Sequence, residues 1–426
     1  MRKRIKPLLI TFLIGLMIFC YGIALAENDA EQMTRNIQIL YKEDAPLTGR
    51  AGISLLENEL EQEEPLNVAL WGTLEGQILK FEEFNRESIV DLVIIIGDSS
   101  LLFSSQYSLG KEDASGILLS PDVARQLFGN TSARELPIIY SGEEFILRGI
   151  LGGAENTAVI QGNRTTASVL DAAAIEIPEN SSQATTIRKF ESRFWTIDTV
   201  FDLGILRALG NFFIIILPLT IAAYLLLKCI KVAISYHKTP VKCGVFIGGI
   251  ILSNLFFIWL NQDLPRIQLD FSPPMWSDFG YWRNYFSTKG ETIGKMLQGE
   301  WREPERIAMR NTVLIIQYGI FATGIFLGFI RKIEVKNYLH LLLYSSGSLL
   351  GAFYVITHTG RNDFPRLWSL WGLGIFYVII KMVLISLTDN SNLSYSSKND
   401  LEKENVKEKK EKRKRKKKKK NQKTKK

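Results

Sequence analysis

The sequence predicts an α+β extracytoplasmic domain joined to a polytopic α-helical membrane bundle. Three observations carry this. Apolar runs of span length interrupt ordinary polar stretches, although mean hydropathy is near zero. Lys and Arg gather at alternate gaps between those runs. Between the first run and the second, short β-like runs alternate with short helices over a long polar segment.

A membrane span needs roughly 20 mostly apolar residues. The first run is "PLLITFLIGLMIFCYGIALA" (Pro7–Ala26), preceded by "RKRIK". That order of charged, apolar and Ala24-Leu25-Ala26 elements also describes a cleavable signal peptide. Its length favours a retained signal-anchor helix. Further spans are expected at about Asn211–Cys229, Lys242–Leu260, Thr312–Ile330, Tyr338–Thr357 and Leu367–Leu387. Lys and Arg accumulate on cytoplasmic ends. With the N-terminus inside, the inner segments are "RKRIK", "KCIKVAISYHKTPVK", "RKIEVK" and the lysine tail, all basic. Both termini are therefore expected in the cytoplasm, with residues 27–208 outside a bacterial plasma or inner membrane.

The charge supports the same division. From Thr388 onward the tail holds 17 Lys/Arg against 6 Asp/Glu, or +11, and the whole chain is +8, leaving −3 for the rest. A basic nucleic-acid binder is excluded, because the positive charge is a terminal run. The tail has too little apolar content to fold, and anionic lipid would attract it. Cys20, Cys229 and Cys243 all lie in or beside apolar segments, which excludes a disulfide framework or a Cys-based zinc site for the outer domain. An apolar core must hold that domain, and about 180 residues suffice for one.

The organisation read from these features is a basic N-terminus (1–6), a signal-anchor helix or signal peptide (7–26), and the extracytoplasmic domain (27–208). A five-helix membrane domain (209–387) with an outer loop (261–311) and the Lys-rich tail (388–426) follow.

Within the outer domain, "NVALWG" (Asn67–Gly72) and "IVDLVIIIG" (Ile89–Gly97) are apolar runs that suit buried strands. "GILLSPDVARQLFG" (Gly116–Gly129) reads as a strand, a cap and a helix. Ser120 before Pro121 is the pairing expected at a helix start. Val123, Ala124, Leu127 and Phe128 share one helical face, and Gly129 ends it. "LPIIY" and "FILRGILGG" around "SGEE" read as a β-hairpin. The acidic run "ENELEQEE" (Glu57–Glu64) reads as a solvated linker.

This succession resembles the periplasmic core domain of MacB-like ABC transporter subunits, of the FtsX/MacB permease superfamily. The resemblance lies in "GILLSPDVARQLFG", "LPIIYSGEEFILRGIL" and, more loosely, "LEGQILKFEEFN", and covers roughly Leu66–Ile160 after a first transmembrane helix. It implies a permease-like subunit of an ABC-type export or envelope-remodelling system, with ATP hydrolysed by a separate subunit. In such subunits the outer domain transmits motion or holds cargo. The implied partners are an ABC ATPase and other permease subunits, in a homo- or hetero-dimer, besides membrane lipid. The rest of the chain departs from the pattern. Such subunits have three helices after the domain, with a cytoplasmic coupling helix, whereas five spans are expected here. "LGILRALG" (Leu203–Gly210) looks like coupling-helix text but falls on the outer side, as chance or as a stalk helix. An ATPase-independent membrane scaffold or sensor with an outer ligand- or protein-binding domain is the alternative.

No catalytic, cofactor or metal site is expected. The chain contains no Gly-x-x-x-x-Gly-Lys-Ser/Thr string, and His237, His340 and His358 lack the spacing of ligand sets. "PPMWSDFGYW" (Pro273–Trp282) is the most distinctive outer-loop stretch. It reads as an interfacial aromatic belt or a docking patch, with Trp276, Asp278, Phe279 and Trp282 as its residues. Lys381, near the inner end of the last run, is expected to snorkel to the headgroups. Ser346-Gly347-Ser348 with Gly351 has the spacing that lets helices approach closely.

Overall fold

The computed structural model describes residues 2–30, 36–42, 46–103, 109–111, 113–131, 133–167, 169–178, 181–235, 279–298, 301–333, 335, 337–359 and 373–383. The described residues of Ile23–Ile215 and Pro265–Ile320 form one compact unit. Those of Met1–Gly22, Ile216–Leu264 and Phe321–Lys426 form the other.

The first unit is built on a mixed sheet. Its strands are β1 (Asn36–Tyr41), β2 (Val68–Phe81), β3 (Arg86–Gly97), β4 (Gly116–Leu119), β5 (Pro137–Tyr140), β6 (Glu143–Ile150), β7 (Thr157–Gln161), β8 (Ala172–Ile177) and β9 (Thr199–Asp202). Helices α2 (Gly49–Leu60), α3 (Pro121–Phe128) and α4 (Gln183–Arg193) accompany them. Hydrogen bonds run β3-β7-β4-β6-β5-β2-β8-β1-β9, and β2 also pairs with β3, so six of these strands close into a ring. β2 achieves this by changing partner along its length. Val68–Trp71 lie against β8, while Leu79 and Lys80 lie against β5. The register shifts between Leu74 and Gln77, where a bulge turns the strand.

The sheet is buried on both faces in its inner half. Val68 and Leu70 enter one apolar cluster with Leu92, Ile94, Val123, Leu127 and Phe190. Ala69 and Trp71, pointing the other way, join Ile39, Val93, Ile95, Leu203, Leu206 and Ala308 in a second. Period-two alternation into two cores explains why "IVDLVIIIG" carries no polar face.

The strand–helix–hairpin succession is as the residues suggest. α3 starts at Ser120 with Pro121 in its first turn and ends at Gly129 in the left-handed region (φ 79°). The Ser120 hydroxyl, however, does not cap the helix; it accepts the Thr157 N–H at 3.1 Å and ties α3 to β7. β5 and β6 pair through a two-residue turn in which Ser141 (φ 53°) and Gly142 (φ 84°) both take positive φ, the turn geometry that matches strand twist. "ENELEQEE" is not a linker in its first half. It forms the end of α2, where buried Glu59 pairs with Arg193 at 2.6 Å and accepts the Leu66 N–H at 2.7 Å.

Long helices complete the chain: α1 (Arg2–Ala30), α5 (Leu203–Ser235), α6 (Phe279–Gln298), α7 (Glu303–Gly328) and α8 (Tyr338–Thr359), with a shorter apolar α9 (Leu373–Val383). Among the described residues, four stretches are long and apolar enough to cross a membrane: Pro7–Glu27, Leu203–Lys228, Glu303–Lys332 and Tyr338–Thr357. The expected span Lys242–Leu260 and the lysine tail lie outside the described residues, as do the ends of Leu367–Leu387. In the second unit α1 and α8 pack backbone to backbone. A Cβ at Gly15 would stand 3.0 Å from the Gly347 carbonyl oxygen, and one at Gly351 would strike the Gly15 carbonyl. The Gly347/Gly351 spacing therefore does bring two helices together.

Candidate functional site

Two of the long helices start inside the α+β unit, and their attachments form a polar constellation. α5 follows β9 without a break. Asp202 Oδ1 accepts the Ile205 N–H at 3.3 Å in the first turn of the helix and the Gln38 side-chain amide at 2.6 Å. Gln183 of α4 in turn donates to Gln38 Oε1 at 3.0 Å. Leu203 and Leu206 are buried in the second apolar cluster, so "LGILRALG" is a stalk rooted in the domain.

α7 is held by side chains instead. The sheet register sets Tyr41 and Trp71 on either side of Ala172 of β8. Neighbours across strands point to the same face, and the small Ala172 lets the two rings meet edge to face at 6.0 Å. The Arg302 guanidinium lies over both, 4.9 Å from the Tyr41 ring centroid and 5.5 Å from that of Trp71. It makes a two-pronged bond to Asp171, at 2.6 and 2.7 Å. Burial opposes the Arg302 charge, but the bonds to Asp171 outweigh it and hold the guanidinium above its ordinary range. One turn on, buried Glu305 accepts the Tyr41 hydroxyl proton in a hydrogen bond. Burial, and then the Glu305 carboxylate, push the Tyr41 phenol above its usual range.

A second contact ring surrounds this clamp. Glu303 accepts the Glu155 N–H at 2.8 Å and pairs with Arg306 at 2.9 Å. Arg310 reaches the Gly153 carbonyl at 3.3 Å and Glu155 at 3.1 Å. Gly153 (φ 84°) and Asn156 (φ 51°) shape the β6–β7 turn that receives them. Ala308 is buried in the second cluster, and Trp301 and Ile307 pack on it. Glu303 and Glu305 also place acidic groups at the positive end of the helix dipole. Two buried polar atoms, Glu305 Oε2 and Trp71 Nε1, have no hydrogen-bond partner among the described residues. Each such atom costs on the order of 1–3 kcal/mol, so the clamp is tight but not fully satisfied.

The residues read as a docking patch are described only in part. Trp276 and Asp278 lie outside the described residues. Phe279 opens α6 and is 84% exposed. Trp282, half-buried, meets Tyr281 edge to face at 5.6 Å. Sequence reasoning missed the clamp because its parts are far apart: Asp171 and Arg302 are 131 positions apart, Tyr41 and Glu305 264. The one local signal is "WREPER", a charged, Pro-containing start to an apolar helix. Among the described residues no three His, Cys, Asp or Glu side chains converge as a metal site.

An α+β domain whose sheet roots helices of span length and composition defines a membrane protein with a folded domain beside its membrane helices. No protein-family model and no curated protein matches the chain. Among solved structures, it is similar to the periplasmic region of MacB from Actinobacillus actinomycetemcomitans. That match has 14% identity and TM-score 0.32, covering 40% of this chain and 89% of the other. It is also similar to the extracellular domain of the noncanonic ABC-type transporter YknZ from Gram-positive bacteria, at 13% identity and TM-score 0.28, covering 39% of this chain and 97% of that one.

Proposed function

We propose that this chain is a permease-like membrane subunit of an ABC-type export or envelope-remodelling system, in which the α+β domain lies outside the membrane and passes motion between α5 and α7. ATP is hydrolysed by a separate subunit, and no chemical step belongs to this chain. The observation that carries the reading is the double rooting of α5 and α7. A domain joined to two candidate spans by a capped strand–helix junction and a side-chain clamp has two points through which motion can pass. The sequence resemblance in "GILLSPDVARQLFG" and the hairpin after it supplies the class of machine. On this reading both termini are cytoplasmic, α1 is retained, and Phe279 and Trp282 face the headgroups or a partner subunit.

Recovery of the full chain under mild detergent tests this. An ATP-binding subunit should co-purify, and its ATPase rate should change when Arg302→Ala opens the clamp. Recovery without any ATPase, repeated after crosslinking in cells through residues 231–242, would favour the second reading, an ATPase-independent scaffold or sensor. One observation favours that alternative: the coupling-like "LGILRALG" is built into the root of α5 at the domain.

A further inference from the structure

In the second unit, α5, the turn after α7, and α9 meet around Tyr224. The sequence suggests that Lys381 extends toward the headgroups, but its side chain is only 8% exposed. Its ammonium turns inward, donating to the Tyr224 hydroxyl at 2.7 Å and the Arg331 carbonyl at 2.9 Å. It also lies 4.8 Å from the Tyr224 ring centroid. Tyr224 donates to the same Arg331 carbonyl at 2.7 Å, and Tyr377 to the Ile330 carbonyl at 3.1 Å. Three side chains from α5 and α9 thus serve two carbonyls of this turn, and that of Ile330 also accepts the Ile333 N–H. Phe326 and Tyr377 pack against the Tyr224 ring, at 5.9 and 6.5 Å, and fix it.

The same ring draws a second ammonium, Lys228, at 5.8 Å. Lys228 ends one candidate span and Lys332 ends another, with Arg331 beside it, and all three are exposed. Two ammoniums therefore meet at the Tyr224 ring near the ends of two candidate spans, Lys381 buried and oriented and Lys228 exposed, while exposed Arg331 and Lys332 stand in the turn whose Arg331 carbonyl Lys381 and Tyr224 both hold. Two ammoniums beside one ring repel each other, and an anion near both relieves this. Flexible lysines alone make a diffuse field, but a buried, doubly hydrogen-bonded lysine makes a fixed point of recognition.

We propose that Lys381 and Lys228, set at the Tyr224 ring, with Arg331 and Lys332 in the neighbouring turn, bind the phosphate of an anionic phospholipid headgroup. Basic clusters between membrane helices hold such headgroups through charge and hydrogen bonds. The acyl chains would run along the apolar sides of α5 and α9, where Leu227 and Ile379 are exposed.

The test uses the full chain in neutral detergent, titrated with short-chain phosphatidylglycerol, short-chain phosphatidylcholine or inorganic phosphate, with thermal unfolding as readout. Phosphatidylglycerol should raise the midpoint saturably, and phosphatidylcholine should not. Lys381→Gln and Tyr224→Phe should each weaken the phosphatidylglycerol response at least tenfold in apparent affinity, with the lysine tail intact in every protein. Lys228→Gln/Lys332→Gln changes exposed groups only and reads the site should Lys381→Gln fail to fold. Equal responses to both lipids, or wild-type affinity in the folded variants, would overturn the proposal. An equal response to inorganic phosphate would overturn the lipid as its source.

Discussion

Arg302→Ala removes the centre of the clamp, and its effect can be sized from the geometry. Arg302 and Asp171 side chains are 33% and 27% exposed. They fall between a fully buried pair, where removing one partner costs about 3–5 kcal/mol, and an exposed one, at about 0–1 kcal/mol. The two aromatic contacts of the guanidinium contribute about 0.5–1 kcal/mol each, part of which water recovers when Arg302 is gone. A loss of about 2 kcal/mol follows, close to a 30-fold change in a local opening equilibrium. Hydrogen exchange of the full chain in detergent reads it at the amides of residues 306–311, in the first turns of α7. Arg302→Ala and Asp171→Ala should each speed exchange there by about that factor. The double variant should exchange little faster than either single one, because both remove the same bond. Effects that multiply in the double variant, or single effects under threefold, would refute the clamp as an energetic unit.

Glu59→Ala removes the carboxylate that the Arg193 guanidinium and the Leu66 N–H share, leaving Arg193 the Glu64 carbonyl, so about 2 kcal/mol should be lost, seen as a lower urea midpoint of the domain signal. Gly351→Leu would drive a side chain into the Gly15 backbone; α1 should separate from α8, and a disulfide crosslink engineered between the two helices should no longer form. The Asp122 carboxyl is opposed by burial, but the Ser120 hydroxyl and the Asn156 N–H, with backbone N–H groups of α3, hold it below its ordinary range. A depressed carboxyl stabilises the fold above its unfolded pKa of about 3.9 and loses that contribution as pH falls through the folded value. Urea midpoints at pH 6 and pH 3 should therefore differ less in Asp122→Asn than in the natural chain.

What the sequence made legible was local. Ser120-Pro121, the face of Val123 and Leu127, and Ser141-Gly142 each state their conformation within a few residues, and α3 and the β5–β6 hairpin follow. The buried strands announced themselves through unbroken apolar runs. Closure of the ring did not. It depends on β2 changing partner at a bulge, which no periodicity marks. The clamp was hidden for a related reason. Asp171 precedes three alanines that look like filler, yet Ala172 is what allows Tyr41 and Trp71 to meet beneath Arg302. Glu57–Glu64 misled because an acidic run looks solvated, whereas helical spacing turns Glu59 alone inward toward Arg193.

The two roots differ in kind, and the difference says which one can yield. α5 continues β9, whose backbone bonds to β1 pair Gln38 with Asp202 through Tyr41 with Thr199. Releasing it means stripping an edge strand from the sheet and exposing Phe201 and Leu203, a loss on the order of several kcal/mol. Among the described residues α7 has no backbone ladder to the sheet; its bonds run through Arg302, Glu303, Glu305 and Arg310. Breaking the polar contacts of a side-chain clamp that already carries two unpaired buried atoms takes less, and water can replace most of what is lost at half-exposed Arg310 and Glu155. A pull along both helices would therefore open the α7 root first and leave α5 as the pivot. Crosslinking Arg302→Cys to Asp171→Cys should then abolish any activity that depends on the domain's movement, while a crosslink within the β1–β9 pair should leave it intact. Loss of activity with the second crosslink and not the first would reverse the assignment of pivot and lever.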